Sequence, residues 1–176
     1  MNKPKYLWLL AVMLLGGCSI GSTQVPEDHY YRLPNASSGT GRAAVTIASV
    51  HVSGMLHERA MLYVNAASPL EVKRFYYHHW ADIPENLVGQ YMQAWFGESN
   101  PAHAAALNVF INQFELLKED GNNRVIVDLS VDSQDKHYHF HQETPVQGTA
   151  MTDVAKAFGA ALGQILQQLN QALSQP

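Results

Sequence analysis

The sequence of 176 residues contains only one cysteine, Cys18, so no disulfide bond can form within the chain. Small secreted domains that depend on disulfides need several cysteines, and this chain must therefore be stabilised by its apolar core. Charged residues are also scarce: they make up 15% of the chain, with 11 basic against 15 acidic residues. The basic residues are scattered, which argues against nucleic-acid binding, because that function requires clustered positive charge.

The apolar run near the N-terminus is too short to span a bilayer. Leu7–Leu15 has nine residues, whereas a membrane-spanning helix needs about 20. Lys3 and Lys5 precede the run, and the small residues Gly16 and Gly17 follow it. A positive segment, a short apolar segment and small residues at the cleavage point are typical of a secretory signal peptide.

Cys18 directly follows this signal. Leu15-Gly16-Gly17-Cys18 resembles the bacterial lipobox, whose cysteine is acylated and becomes the first residue of the mature protein. An ordinary signal peptide with an incidental cysteine is the alternative. Each buried methylene of an acyl chain contributes about 0.8 kcal/mol, so several chains would anchor the protein permanently. The lipoprotein pattern has aspartate after the cysteine for inner-membrane retention, and Ser19 therefore favours the outer membrane.

These features divide the chain into three segments. We predict a lipoprotein signal peptide over 1–17, an acylated N-terminus with a flexible tether over 18–29, and one periplasmic domain over 30–176. Loss of Lys3 and Lys5 with the signal leaves nine basic and 15 acidic residues, a net charge of −6. The acyl chains, rather than charge, would then hold the protein at the membrane.

Hydrophobic periodicity predicts an α+β fold, with an antiparallel or mixed sheet of about six strands packed by two helices in a single domain. Asp82 and Glu85 have capping-box spacing, Pro84 lies in the first turn, and Gly97 follows the last turn, which together predict the first helix. The second helix covers Thr152–Leu173. The strands are predicted within 30–34, 43–52, 61–64, 72–77, 106–116, 125–132 and 137–141, the last three as an antiparallel meander.

The order of these elements resembles a known family. The lipobox is followed by YYRLP, VTIASVHV, MLYVNAASPLEVKRFYYHHWADIPENLV and LNVFINQFE, and an amphipathic helix ends the chain. This succession is similar to the ABC-type transport auxiliary lipoprotein family, the PqiC-like outer-membrane lipoproteins of MCE-type transport systems. Its most specific portion is Tyr63 to Leu87, above all Tyr76, Trp80, Ala81 and Pro84. Many members of the family have arginine where this chain has His79.

The resemblance implies a function without chemistry. Such lipoproteins accompany MCE-domain proteins that carry lipids or other hydrophobic molecules between the two membranes. The auxiliary subunit would dock that assembly at the outer membrane, with the MCE-domain protein as its partner, and would catalyse no reaction of its own. A stand-alone envelope lipoprotein for assembly or structure is the alternative, and a metal-dependent enzyme is less favoured.

His137, His139 and His141 alternate along one predicted strand. Same-face residues of a strand lie about 6.5–7 Å apart, so three imidazoles on one zinc ion would need converging rotamers and usually a second element. We therefore expect a solvated outer face and assign no metal site. The chain also lacks a G-x-S-x-G nucleophile motif, and we assign no catalytic residue and no cofactor.

Two further groups are candidates for protein contacts. The aromatic segment FYYHHW over 75–80 contains Tyr76 and Trp80, which are either buried on both sides of a strand or in contact with a partner. The second group lies on the last helix, where no charged residue follows Lys156. This helix either packs closely on its own sheet or meets another protomer in a homo-oligomer. The candidate self-association residues are Ala155, Gly159 and Gly163, which form a smooth stripe, with Gln167 and Gln171.

Replacement of Cys18 by alanine tests the lipobox. We expect Cys18→Ala to lose acyl label and lipoprotein-type cleavage, because the thiol is the atom that is acylated. Metabolic labelling with palmitate, followed by gel analysis of the precursor, measures both effects. Normal processing of Cys18→Ala with palmitate still incorporated would show that the protein is not a lipoprotein.

Overall fold

Seven strands form one mixed sheet with two helices in the computed structural model, which describes residues 25–37, 42–97 and 104–175. The prediction of an α+β fold with a mixed sheet and two helices is confirmed. The strands are β1 His29–Tyr31, β2 Val45–His51, β3 Ala60–Asn65, β4 Ser68–Trp80, β5 Ala105–Lys118, β6 Arg124–Ser133 and β7 Lys136–Pro145. The helices are α1 Pro84–Phe96 and α2 Met151–Leu173, with a short 3₁₀ helix over Gly54–His57.

The sheet has the order β1-β4-β3-β5-β6-β7, and β2 also pairs with β5. β2 is parallel to residues 105–110 of β5, and β3 is parallel to residues 115–118. Both strands therefore lie along the same edge of β5, one at each end. Residues 111–114 pair with neither of them, and the 3₁₀ helix connects β2 to β3 in the sequence. On its other edge β5 pairs with β6, and β6 with β7, in the predicted antiparallel meander.

A bulge in β5 decides which of its residues face the core. The register against β6 shifts between Ile111 and Gln113, so that Asn112 is an extra residue. Because the side chains of a strand alternate, one extra residue exchanges the two faces. Odd-numbered residues up to Ile111 are buried against the helices, and beyond the bulge even-numbered residues such as Phe114 take this position.

The core lies between one face of the sheet and the two helices. α1 packs on β2, and α2 packs on β6 and β7. An aromatic cluster connects the edge of the sheet to α2: the ring of Trp80 lies 5.3 Å from that of Phe114 and 5.2 Å from that of Phe158. The predicted inward residues of α1 are buried, as are those of α2. They are Leu87, Val88, Tyr91, Met92, Trp95 and Phe96 in α1, and Val154, Phe158, Leu162, Ile165, Leu166 and Leu169 in α2.

The start of α1 differs from the predicted capping box. Ile83 is the N-cap residue and makes no side-chain capping bond, whereas Pro84 takes the first helical position. Oδ1 of Asp82 accepts hydrogen bonds from the Ile83 N–H at 2.8 Å and from the Asn86 amide at 3.0 Å. Proline needs no N–H partner at this position. At the other end Gly97 has φ +79° and donates its N–H to the helix, so the predicted C-terminal glycine is confirmed.

The segment after β1 crosses the small-residue stripe of α2. β1 is parallel to β4, and the Ala81 N–H donates to the Tyr31 carbonyl at 2.7 Å. The chain then places the ring of Pro34 against Gly159, where a Cβ atom would lie 2.2 Å from the proline Cγ. The hydroxyl of Tyr91 donates to the Gly159 carbonyl at 2.8 Å. The close approach predicted from the glycines therefore occurs within the chain.

Alanine substitutions at the two glycines of this stripe should have opposite effects. We expect Gly159→Ala to destabilise the domain by about 1–3 kcal/mol, because its methyl group would overlap Pro34. At Gly163 the nearest atom to an added Cβ is the Tyr91 hydroxyl at 3.6 Å, an ordinary contact. Gly163→Ala should therefore raise the free energy of unfolding by up to about 0.5–1 kcal/mol, because alanine lowers the backbone entropy of the unfolded chain.

Urea unfolding of the two full-length variants measures both free energies. Equal stability of Gly159→Ala and Gly163→Ala would contradict the packing of Pro34 on α2.

Candidate functional site

The face of the sheet opposite the helices carries a cluster of polar residues around β6 and β7. His137, His139 and His141 lie on it, as expected, with side chains 65%, 56% and 45% exposed. Each imidazole hydrogen-bonds to a carboxylate of β6: His137 to Asp132, and the other two to Asp128. We call these three histidines and two aspartates the histidine face.

Asp128 is the centre of the histidine face. Its side chain is only 10% exposed, and it accepts hydrogen bonds from His139 at 2.8 Å and from His141 at 3.0 Å. The Asn112 amide, at the β5 bulge, donates to it at 2.8 Å. Burial alone would raise the pKa of Asp128, but the hydrogen bonds from Asn112, His141 and His139 outweigh burial and lower this pKa below its ordinary value. The carboxylate is therefore held in its ionised form.

The geometry of the histidine face is that of paired donors and acceptors. Within residues 25–37, 42–97 and 104–175, no three His, Cys, Asp or Glu side chains are arranged to hold a metal ion. The imidazoles instead donate to the carboxylates beside them, which fixes their rings on the surface. This arrangement offers hydrogen-bonding groups to a partner.

The aromatic segment of β4 is irregular where it passes β3. Ala60 pairs with His79 and Leu62 with Arg74, so four residues of β4, 75–78, lie opposite Met61 alone. Such bulges turn side chains out of the regular alternation. Tyr76 and Tyr77, both in the bulge, are 79% and 45% exposed.

Tyr76 and Trp80, the two candidate partner contacts, have different environments. Trp80 is 1% exposed and belongs to the aromatic cluster with Phe114 and Phe158. Trp80 is therefore buried, which is one of the two possibilities for this segment. Its truncation would test stability rather than binding. Tyr76 is on the surface and stays a candidate for contact with a partner.

Tyr30 is a third exposed tyrosine, on the strand next to β4. It pairs with His79 across β1 and β4, is 53% exposed, and has the Arg59 guanidinium 5.4 Å from its ring centre. We call Tyr30, Tyr76 and Tyr77 the tyrosine surface. Tyrosine combines a large apolar ring with a polar hydroxyl and is enriched in protein interfaces. This surface is therefore suited to a protein contact.

The candidate self-association residues of α2 divide into two groups. Ala155 and Gly159 are buried against the chain itself, and Gly163 is half-buried near Tyr91. Gln167 and Gln171 are exposed on α2, in a part of the sequence that has no charged residue after Lys156. The stripe is used for intramolecular packing, whereas association through the glutamines stays a prediction.

The predicted lipobox with Cys18, and Ser19 after it, lie outside the described residues. In the part of the chain that the structure describes, no helix has the length and apolar character needed to cross a bilayer.

Two buried acids were not identified from the sequence. Counted as whole residues, Asp128 and Glu115 are each 7% exposed, and both lie on strands. Asp128 interrupts the apolar run Val125–Leu129, and this position in the sequence could have indicated a buried acid. Beyond the bulge Phe114 and Leu116 face the helices, and Glu115 between them points to the other face of the sheet. A regular alternation along β5 therefore gave no sign that Glu115 is buried.

The fold of this chain is similar to the folds of solved structures. No family model matches the chain, and no curated protein matches it. A crystal structure described only as an uncharacterized protein has a TM-score of 0.66 and 18% identity, over 84% of this chain and 99% of its own. Protein XCC0632 from Xanthomonas campestris, with the family model DUF330, has a TM-score of 0.66 and 13% identity, over 82% and 95%.

At these identities the likeness concerns the fold alone. The chain is therefore an α+β domain with the fold of a DUF330 protein. The coverage shows that the fold is shared over nearly the whole length of both solved structures.

The lowered pKa of Asp128 predicts a pH-dependent contribution to stability. A carboxyl with a depressed folded-state pKa stabilises the protein above its unfolded pKa, about 3.9, and loses this contribution as the pH falls through the folded value. We expect Asp128→Asn to lower the melting temperature at pH 7, because it removes the charged acceptor of three donors. The difference from wild type should shrink below about pH 4.

Thermal unfolding of wild type and Asp128→Asn at pH 7 and pH 3 measures this difference. Asp135→Asn, in the turn between β6 and β7, is a matched control that should leave the profile unchanged. A difference that is constant with pH would show that the charge of Asp128 has no role in stability.

Proposed function

We propose that this protein is an acyl-anchored auxiliary subunit of an MCE-type transport system at the outer membrane, facing the periplasm. It docks the transport assembly by protein contacts and catalyses no reaction. The observation that supports this proposal best is the fold of a DUF330 protein in a chain whose residues Leu15–Cys18 resemble a lipobox. DUF330 is the family to which the PqiC-like lipoproteins belong.

The position of the tyrosine surface supports a docking role. β1 begins at His29, 11 residues after Cys18, and forms an edge of the sheet beside β4. Tyr30 therefore directly follows the proposed tether in the sequence, and β4, the neighbouring strand in the sheet, carries Tyr76 and Tyr77. A partner that approaches this edge of the sheet would contact Tyr30.

The surface chemistry supports binding rather than catalysis. The histidines of the histidine face donate to Asp128 and Asp132, and the exposed aromatic side chains lie on a different part of the sheet. A stand-alone envelope lipoprotein is the second candidate. It shares the anchor and the fold but would not bind an MCE-domain protein.

Capture of the partner through Tyr76 tests the proposal. We expect full-length protein with a photo-cross-linking residue at position 76 to form an adduct with the MCE-domain protein of the same cell envelope. Tyr76→Ala should reduce copurification of that protein by about tenfold or more, because a central tyrosine of an interface commonly contributes 2 kcal/mol or more. Mass spectrometry of the solubilised complex measures both effects.

Leu70→Ala is the matched control, since Leu70 is 98% exposed at the other end of the same strand. It should copurify like wild type. Trp80→Ala is not a suitable variant, because truncation of a buried tryptophan costs about 3–5 kcal/mol of stability. Undiminished copurification of folded Tyr76→Ala would exclude the tyrosine surface, and absence of any MCE-domain protein from the wild-type complex would favour the stand-alone lipoprotein.

A further inference from the structure

The gap between β2 and β3 along β5 contains a small pocket. The pocket has a volume of about 170 Å³ and lies next to the 3₁₀ helix that connects the two strands. Its walls are mainly apolar, and most of its polar groups come from β5, with Ser53 before the 3₁₀ helix as the exception. The residues that matter here are Met55, Leu62, Val72 and Phe114 on the apolar side, with Gln113 and Glu115 on the polar side.

Glu115 is a buried acid that lines this pocket without a cation. It is 7% exposed and pairs in register with Leu62 on one side and Ile126 on the other, both of them apolar. No basic group within the described ranges lies at ion-pairing distance from it. Arg74, in the same row of the sheet, is 2.7 Å from Glu58 instead. Burial raises the pKa of Glu115.

The hydrogen bonding of Glu115 is also incomplete. Oε1 accepts one long bond, 3.4 Å, from the Gln113 amide, and no donor to Oε2 is present in the part of the chain that the structure describes. Oε2 keeps some access to solvent, but a partly desolvated carboxylate with so few partners still carries a free-energy cost. An apolar residue would fit between Leu62 and Ile126 at lower cost. The acid is therefore explained better by a ligand than by the stability of the fold.

The size of the pocket limits what this ligand can be. Sites for separate small molecules commonly have volumes of about 300–1,000 Å³ and enclose most of the ligand. A pocket of about 170 Å³ is too small for this class, but it suits a single side chain inserted from another protein. Side chains that fill such pockets dominate the energy of protein interfaces.

We propose that this pocket receives a lysine side chain of a partner protein. The methylenes of the lysine lie against Met55, Leu62 and Val72, and its ammonium group binds the free oxygen of Glu115. Lysine fits better than arginine, because one carboxylate oxygen already has a partner and a compact ammonium needs only one acceptor, whereas a guanidinium favours two. This inference does not depend on the proposed transport function.

Methyl NMR of the full-length protein in lipid nanodiscs tests the pocket. Met55 lines it, and its labelled methyl group reports on occupancy, with the buried Met61 and Met92 as internal references. The probe is n-butylammonium, which has the stem and charge of lysine. We expect a saturable shift of the Met55 signal, and at least about tenfold weaker binding to Glu115→Gln, equivalent to 1.4 kcal/mol. 1-Butanol, which lacks the charge, should bind as weakly to wild type.

Glu71→Gln is the matched control, because Glu71 is an exposed acid on β4 and its loss should leave the titration unchanged. Val72→Trp is a second variant that blocks the pocket and keeps the carboxyl, and it should also abolish the Met55 shift. Circular dichroism shows that each variant is folded. Equal binding of n-butylammonium to wild type and Glu115→Gln, or no shift in wild type, would overturn the proposal.

Zero-length coupling with a carbodiimide in intact envelopes identifies the source of the amine. We expect an amide between the Glu115 carboxyl and a lysine Nζ of another protein molecule, located by mass spectrometry and absent from Glu115→Gln. Coupling of Glu115 to a lipid amine in place of a protein lysine would contradict the proposed partner.

Discussion

The pairing of β5 with three other strands is the constraint on which the rest of the structure depends. β5 is the only described strand with ladders to β2, β3 and β6, and its inward residues from Leu107 to Leu116 are almost fully buried. Each half of the strand holds a different neighbour on the same edge. The bulge at Asn112 keeps the apolar residues of both halves on the helix side. The gap beside residues 111–114 lies between the two neighbours, β2 and β3.

Regular patterns in the sequence predicted much of the fold. The helices were predicted because their apolar residues recur at helical spacing, and the meander because the connections KEDGNN and DSQD between its strands are rich in turn residues. The departures occur where the pattern is broken locally. Asp82 and Glu85 have the spacing of a capping box, yet Pro84 moves the N-cap to Ile83. The parallel pairing of β1 with β4 joins residues far apart in the chain, and its register cannot be predicted from the local sequence.

The candidate surfaces were predicted less completely, and irregular strand geometry is the reason. Alternation correctly placed the three histidines on the outer face, opposite Tyr138 and Phe140. It could not separate Tyr76 from Trp80, which have the same parity, because the exposure of Tyr76 depends on the bulge at 75–78. Likewise, the glycines of α2 indicated close packing but not its partner. Pro34 lies 125 residues before Gly159, and only the fold brings the two together.

The contact between Pro34 and Gly159 has a consequence for the order of assembly. The surface that receives Pro34 exists only when α2 has formed and has packed on β6 and β7. The N-terminal segment is synthesised first, yet its binding surface depends on the last helix of the chain. Long-range contacts of this kind form slowly, because a large loop must close before they contribute. The segment around Pro34, which lies nearest the proposed membrane anchor in the sequence, therefore packs only after the rest of the chain has folded.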